Sequence, residues 1–133
     1  MRWLSTGVSC GVQVNILLVE DDAALGEVTA ALLVSEGYAV KIAPTAQDAF
    51  DDLAAPHAYS AVLLDLQLGR DRGDALVRRL RRSGQTLPPV VIFSAQPMVE
   101  LREAAQEIGA VAVLQKPCRI GQIMTAISRA VGS

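Results

Sequence analysis

Five short apolar runs punctuate the chain, and polar residues follow nearly all of them. Asn15 to Val19 runs into Glu20-Asp21-Asp22, Tyr38 to Ala43 precedes Pro44-Thr45, and Ala61 to Asp65 closes on a carboxylate. Pro88-Pro89 enters Val90 to Phe93, which delivers Ser94, and Val111 to Leu114 leads into Gln115-Lys116-Pro117. Short apolar runs of this length, interrupted inside only at Lys41 in the second, predict strands buried on both faces. Helical spacing fills the gaps. Leu25, Val28 and Leu32 predict a helix from about Ala23 to Glu36, stopped by Gly37. Thr45 and Asp48 read as the capping box of a second helix ending near Ala55-Pro56. After a loop over Leu66 to Arg72, a third helix carries Arg78, Arg79, Arg81 and Arg82 and ends at Ser83-Gly84. Pro97 suits the first turn of a fourth, with Leu101, Ala105 and Ile108 on one face and Gly109 at its end. The fifth runs from about Ile120 to Val131, with Ile120, Ile123, Ile127 and Val131 on one stripe.

Strands alternating with helices predict an α/β fold, a parallel sheet covered on both faces. The 133 residues fit one domain, over 14–133, after a loosely ordered extension over 1–13. An apolar fraction of 51% excludes a disordered chain, and 4% aromatics leave the core to Ala, Val, Leu and Ile. A net charge of −2 argues against a nucleic-acid binder. No apolar stretch spans a bilayer, and Met1-Arg2-Trp3-Leu4 begins no secretory signal, so a cytoplasmic location is expected. Cys10 and Cys118 read as free thiols rather than a disulfide.

All strands of a parallel sheet end on the same side. Glu20, Asp21 and Asp22, Asp65, Ser94 and Lys116 are therefore expected to meet in one pocket. Crowded carboxylates repel unless a proton or a cation joins them. Mg²⁺ fits best, because it takes carboxylates together with water and phosphate oxygens. Lys116 supplies a point charge for a phosphoryl oxygen, and the Ser94 hydroxyl can donate to another. Phosphoryl transfer asks for little beyond these groups and an in-line nucleophile, here Asp65. Asp22 reads as the cap of the first helix rather than a ligand. His57 stands alone in a loop, and the arginine run reads as a solvated face near a helix C-terminus.

Leu-Leu-Val-Glu-Asp-Asp, Leu-Leu-Asp-Leu-Gln-Leu, Ile-Phe-Ser-Ala and Gln-Lys-Pro, in that order, resemble the receiver domain of two-component response regulators over about residues 14–131. The resemblance implies a flavodoxin-like doubly wound (βα)5 sandwich with strand order 2-1-3-4-5. It implies that Asp65 is the phosphoacceptor, that Glu20 and Asp21 are the acidic pair, and that Asp21 and Asp65 bind Mg²⁺. The backbone carbonyl of Gln67 would be a further metal ligand. Ser94 would turn toward the phosphoryl group, Ala95 would leave the pocket open, and the Lys116-Pro117 bond would be cis. The implied partner is a sensor histidine kinase or a histidine phosphotransfer protein. The implied role is a signalling phosphoacceptor, not an enzyme on other substrates, acting as a monomer or weak dimer. With no output domain expected after the fifth helix, the signal would leave by protein contact or phosphoryl shuttling.

The chain also departs from that family. Gly69 stands where a Pro is common, which predicts a more flexible and charged loop, while Gly73 keeps the family glycine. Val113 replaces the usual aromatic, so switching by a swinging ring is not expected. Cys118 stands where Phe is frequent. Met98, Arg102 and Gln122 are expected to face outward. Rival readings are a receiver-like interaction module with a vestigial pocket and a receiver cut from a hybrid kinase. A haloacid-dehalogenase-type phosphatase would need an Asp at position 67, where Gln67 stands. An electron carrier of flavodoxin type would need a phosphate loop where Glu20-Asp21-Asp22 would repel phosphate.

Overall fold

The computed structural model describes residues 13–132. The extension read over 1–13 lies outside them except for Gln13, whose side-chain amide donates to the Gly37 carbonyl at 2.9 Å. Cys10 lies outside as well, and Cys118 is a half-buried free thiol. In chain order the elements are β1 (Asn15–Val19), α1 (Ala23–Ser35), β2 (Ala39–Ala43), α2 (Ala46–Ala54), β3 (Ala61–Leu64), β4 (Gln67–Leu68), β5 (Asp71–Arg72), α3 (Gly73–Arg82), β6 (Val90–Ser94), α4 (Met98–Ile108), β7 (Ala112–Gln115) and α5 (Ile120–Gly132).

The main sheet has the order β2-β1-β3-β6-β7, and every pair in it is parallel. With the short β4 and β5 set aside, this is the expected 2-1-3-4-5 order, and five helices cover it. Alternation within each strand divides the core in two. Leu17 and Val19, Val62 and Leu64, and Val90 and Ile92 face Leu53 of α2, Leu76 and Leu80 of α3, and Leu101 and Ile108 of α4. Ile16 and Leu18, Ala61 and Leu63, and Val91 and Phe93 face Ala30 and Leu33 of α1 and Ile123 and Ile127 of α5. Full burial of one Leu or Ile contributes roughly 1.5–3 kcal/mol, and twelve large side chains are this deeply buried among the described residues. The edge strand β7 is only half-buried.

Local chemistry sets the element ends. Asp22 caps α1, its Oδ1 accepting from Leu25 N at 3.0 Å, and Thr45 caps α2 by accepting from Asp48 N at 3.0 Å. Gly109 ends α4 with φ +68, a conformation that favours glycine. The expectation for the loop needs correction. Residues 66–72 are not simply a flexible loop: β4 and β5 pair antiparallel around Gly69, whose φ of +63 suits a tight two-residue turn. The stripe Leu25, Val28 and Leu32 is not the buried face of α1. Gly26, Thr29, Ala30 and Leu33 are buried, while Val28 is 57% and Leu32 44% exposed. Nearly every position of α1 is small or apolar, so spacing alone does not select a face. The small residues turn inward because they let the helix lie close to the sheet. Arg102 and Gln122 are exposed as expected, but Met98 is half-buried against the core.

Candidate functional site

Burial of β1, β3 and β6 on both faces fixes where each strand stops, and each stops on a polar group. Glu20 follows β1 and is only 2% exposed, Asp65 follows β3 and is buried, and Ser94 ends β6 fully buried. The backbones are tied at the same level: Asp65 N donates to Val19 O at 3.1 Å, and Lys116 N to Ser94 O at 2.8 Å. The Lys116-Pro117 peptide is cis. Together with Asp21, Asp22, Leu25, Gln67, Ala95 and Gln96, these residues line a cleft of about 430 Å³.

Asp65 is the hub. Its Oδ1 accepts from Ser94 Oγ at 2.7 Å and from Gln67 N at 3.0 Å, and its Oδ2 accepts from Lys116 Nζ at 2.9 Å. Lys116 also donates to Glu20 Oε1. Glu20 Oε2 accepts from Asp22 N at 3.3 Å. Burial raises the pKa of Glu20, and the lysine's hydrogen bond and charge do not fully offset it. On Lys116, burial works against the charge. Hydrogen bonds to Glu20 and Asp65 outweigh it and hold the ammonium above its ordinary range. The Nζ also lies 5.1 Å from the centre of the Phe93 ring, whose face favours a cation.

Asp21 is exposed, and its Oδ2 accepts from Gly69 N at 2.8 Å, which ties the hairpin turn to the end of β1. One carboxylate oxygen from each of Glu20, Asp21 and Asp65 lies within 4.8 Å of the others. This all-oxygen set fits a hard divalent ion such as Mg²⁺, with water filling the remaining positions. Asp22, engaged as a helix cap, is not in the set. Gly73 closes the floor: a Cβ there would lie 2.3 Å from the Asp65 carbonyl oxygen, so only glycine lets α3 start so close to the site.

The structure thus brings together Glu20, Asp21, Asp65, Gln67, Ser94, Ala95 and Lys116, the residues expected from sequence. His57 stays exposed and remote, its Nδ1 accepting from Tyr59 N at 3.2 Å. Two arginines of the basic run are engaged away from the cleft. Arg78 pairs with Asp74 and Glu107, and Arg79 lies 4.2 Å from the centre of the Phe50 ring. Sequence reasoning missed Gln96 and Gln115. Gln96 Nε2 donates to Gln67 Oε1 at 2.6 Å across the cleft, and Gln115 Nε2 donates to Gln96 O at 3.0 Å. The available signal was that Gln67 and Gln96 each stand two residues past a site residue, which was too slight to use.

A family profile described as response regulator receiver domain matches residues 16–128. The transcriptional regulatory protein PmrA of Pectobacterium parmentieri is 37% identical over 113 residues, 85% of this chain and 50% of that protein. The response regulator MprA of Mycolicibacterium vanbaalenii is 34% identical over 111 residues, 84% of this chain and 47% of that one. The chain spans about half the length of these curated relatives. Among solved structures, the non-phosphorylated HemR receiver domain from Leptospira biflexa superposes with a TM-score of 0.77 at 30% identity, covering 91% of this chain and 96% of that one. A response regulator receiver protein from Burkholderia phymatum gives a TM-score of 0.78 at 28% identity, covering 90% and 96%.

Proposed function

Because the chain belongs to the response regulator receiver family, we propose that Asp65 takes a phosphoryl group from a phosphohistidine on a sensor kinase or a phosphotransfer protein. The acyl phosphate so formed is the signalling state. The observation that carries this reading is the engagement of both Asp65 oxygens, by Ser94 Oγ at 2.7 Å and Lys116 Nζ at 2.9 Å, beside the Glu20–Asp21 pair.

A carboxylate oxygen of Asp65 attacks phosphorus. The P–N bond to the donor imidazole breaks, its electron pair stays on the ring nitrogen, and that nitrogen takes up a proton. Charge spreads onto the three phosphoryl oxygens. The Lys116 ammonium, already over the carboxylate, then holds one of them, and the Ser94 hydroxyl turns its proton to another. Bound Mg²⁺ supplies further charge neutralisation there. Glu20, Asp21, Asp65 and the Gln67 carbonyl would hold it. The full set of charged groups favours this reading over a vestigial interaction module.

The exposed face of α1 supports the choice of donor. Leu25, Val28 and Leu32 line an apolar groove of about 410 Å³ with Pro117, Cys118 and Ile120, and the groove is continuous with the cleft through Ala95 and Lys116. A helix carrying the donor histidine fits there, its apolar side on α1 and its imidazole at Asp65. Among the described residues no helix is long and apolar enough to cross a membrane, and a cytoplasmic site of action belongs to the same reading.

The test is labelling by a radiolabelled small acyl phosphate with Mg²⁺. The native chain should take up acid-labile label, and Asp65→Asn should take up none. Equal labelling of that variant would remove the assignment.

A further inference from the structure

Three glutamines from three separate segments are joined in a chain that begins at the mouth of the cleft. Gln67 lies on β4, Gln96 between β6 and α4, and Gln115 at the end of β7. Gln96 carries the middle of the chain of contacts. Its Nε2 donates to Gln67 Oε1 at 2.6 Å, its Oε1 accepts from Ser94 Oγ, and its backbone carbonyl accepts from Gln115 Nε2 at 3.0 Å. The Ser94 hydroxyl faces two acceptors, Gln96 Oε1 and Asp65 Oδ1, with a single proton to give.

We propose that this glutamine bridge is a latch that reports the state of Asp65 to the edge strand β7 and the start of α4. The inference rests on the phosphoacceptor reading. A phosphoryl group on Asp65 presents several anionic oxygens to the mouth that Gln67 and Gln96 now span. Hydrogen bonds to an anion are stronger than amide–amide bonds. The amide donors of Gln67 and Gln96 therefore turn to the phosphoryl oxygens, and Ser94 gives its proton there too. Gln96 loses its contacts to Ser94 and Gln67 in one event. Its backbone carbonyl belongs to the segment leading into α4, which Pro97 begins by accepting from Glu100 N and Leu101 N. Movement of that segment changes the bond from Gln115 and so reaches β7. The position that would hold a swinging aromatic is Val113, on the same strand and half-buried against the core. A polar connection through Gln115 gives β7 a link to the cleft that needs no ring.

The experiment is amide NMR of the native chain and of Gln115→Met, each titrated with beryllofluoride and Mg²⁺ as a phosphoryl mimic. Met keeps the length of the side chain but has no donor, and position 115 does not line the cleft. In the native chain the side-chain amide signals of Gln67, Gln96 and Gln115 should shift together with backbone amides 95–99 and 112–115. In Gln115→Met the shifts at Asp65 and Lys116 should persist at unchanged affinity, while those at 112–114 should fall at least about twofold. Unmoved glutamine side chains in the saturated native chain, or full-sized shifts at 112–114 in the variant, would overturn the latch. Absence of any response at Asp65, Ser94 and Lys116 in the native chain would instead remove the phosphoacceptor reading, and the latch with it.

Discussion

Asp74 shows how much a single residue can hide in a sequence. It stands in the first turn of α3 with no motif around it, yet it is buried, bonded to Arg72 Nε at 3.0 Å and to Arg78 at 3.5 Å. Burial pushes its pKa up, but the two guanidinium groups outweigh that and hold the carboxyl below its ordinary value. A carboxylate shifted this way stabilises the fold fully above its unfolded pKa and loses that contribution as pH falls through the folded value. Asp74→Asn should therefore lower stability by about 1 kcal/mol near pH 7, with both arginines half-exposed and screened. The gap should close as the pH falls from neutral through the folded value. Urea unfolding of both chains across this range checks it, and a gap that grows in acid would contradict the pairing. Gly73 illustrates the opposite case. Its presence was visible in the sequence, but the reason, a backbone oxygen 2.3 Å from any Cβ, needed coordinates.

At the scale of elements, legibility followed contrast. Four of the five strands of the main sheet were readable because they are mostly apolar and end abruptly on Glu20, Asp65, Ser94 or Gln115-Lys116, while β2 carries Lys41 and runs into Pro44. The caps of α1 and α2 were readable because Asp22 and Thr45 stand just ahead of apolar spacing. The buried face of α1 was not, since Ala, Leu, Val and Gly occur around its whole circumference. The hairpin β4–β5 was missed because four residues carry no period. The outward stripe of α1 now yields a test. Val28→Asp should change stability by no more than about 0.5 kcal/mol, since the side chain is 57% exposed. It should leave labelling by a small acyl phosphate unchanged and slow transfer from the cognate histidine donor about tenfold, as loss of a packed interface anchor does. Unaltered transfer kinetics would move the docking site off this face.

At the scale of the molecule, the candidate site was legible because parallel topology converts residues far apart in sequence into neighbours. Glu20, Asp65, Ser94 and Lys116 needed only a common strand direction to meet, and that followed from the alternation of elements. The glutamine bridge was not legible, because it depends on side chains in loops and at strand ends whose directions no pattern encodes. The signalling role of the molecule depends on which carboxylate becomes phosphorylated. Borohydride reduces an aspartyl phosphate to homoserine and leaves a free carboxylate untouched. Reduction after exposure to a small acyl phosphate and Mg²⁺, followed by peptide mass mapping, should find homoserine at position 65 and nowhere else. Homoserine at position 21 or 22, or an unchanged peptide map, would contradict it.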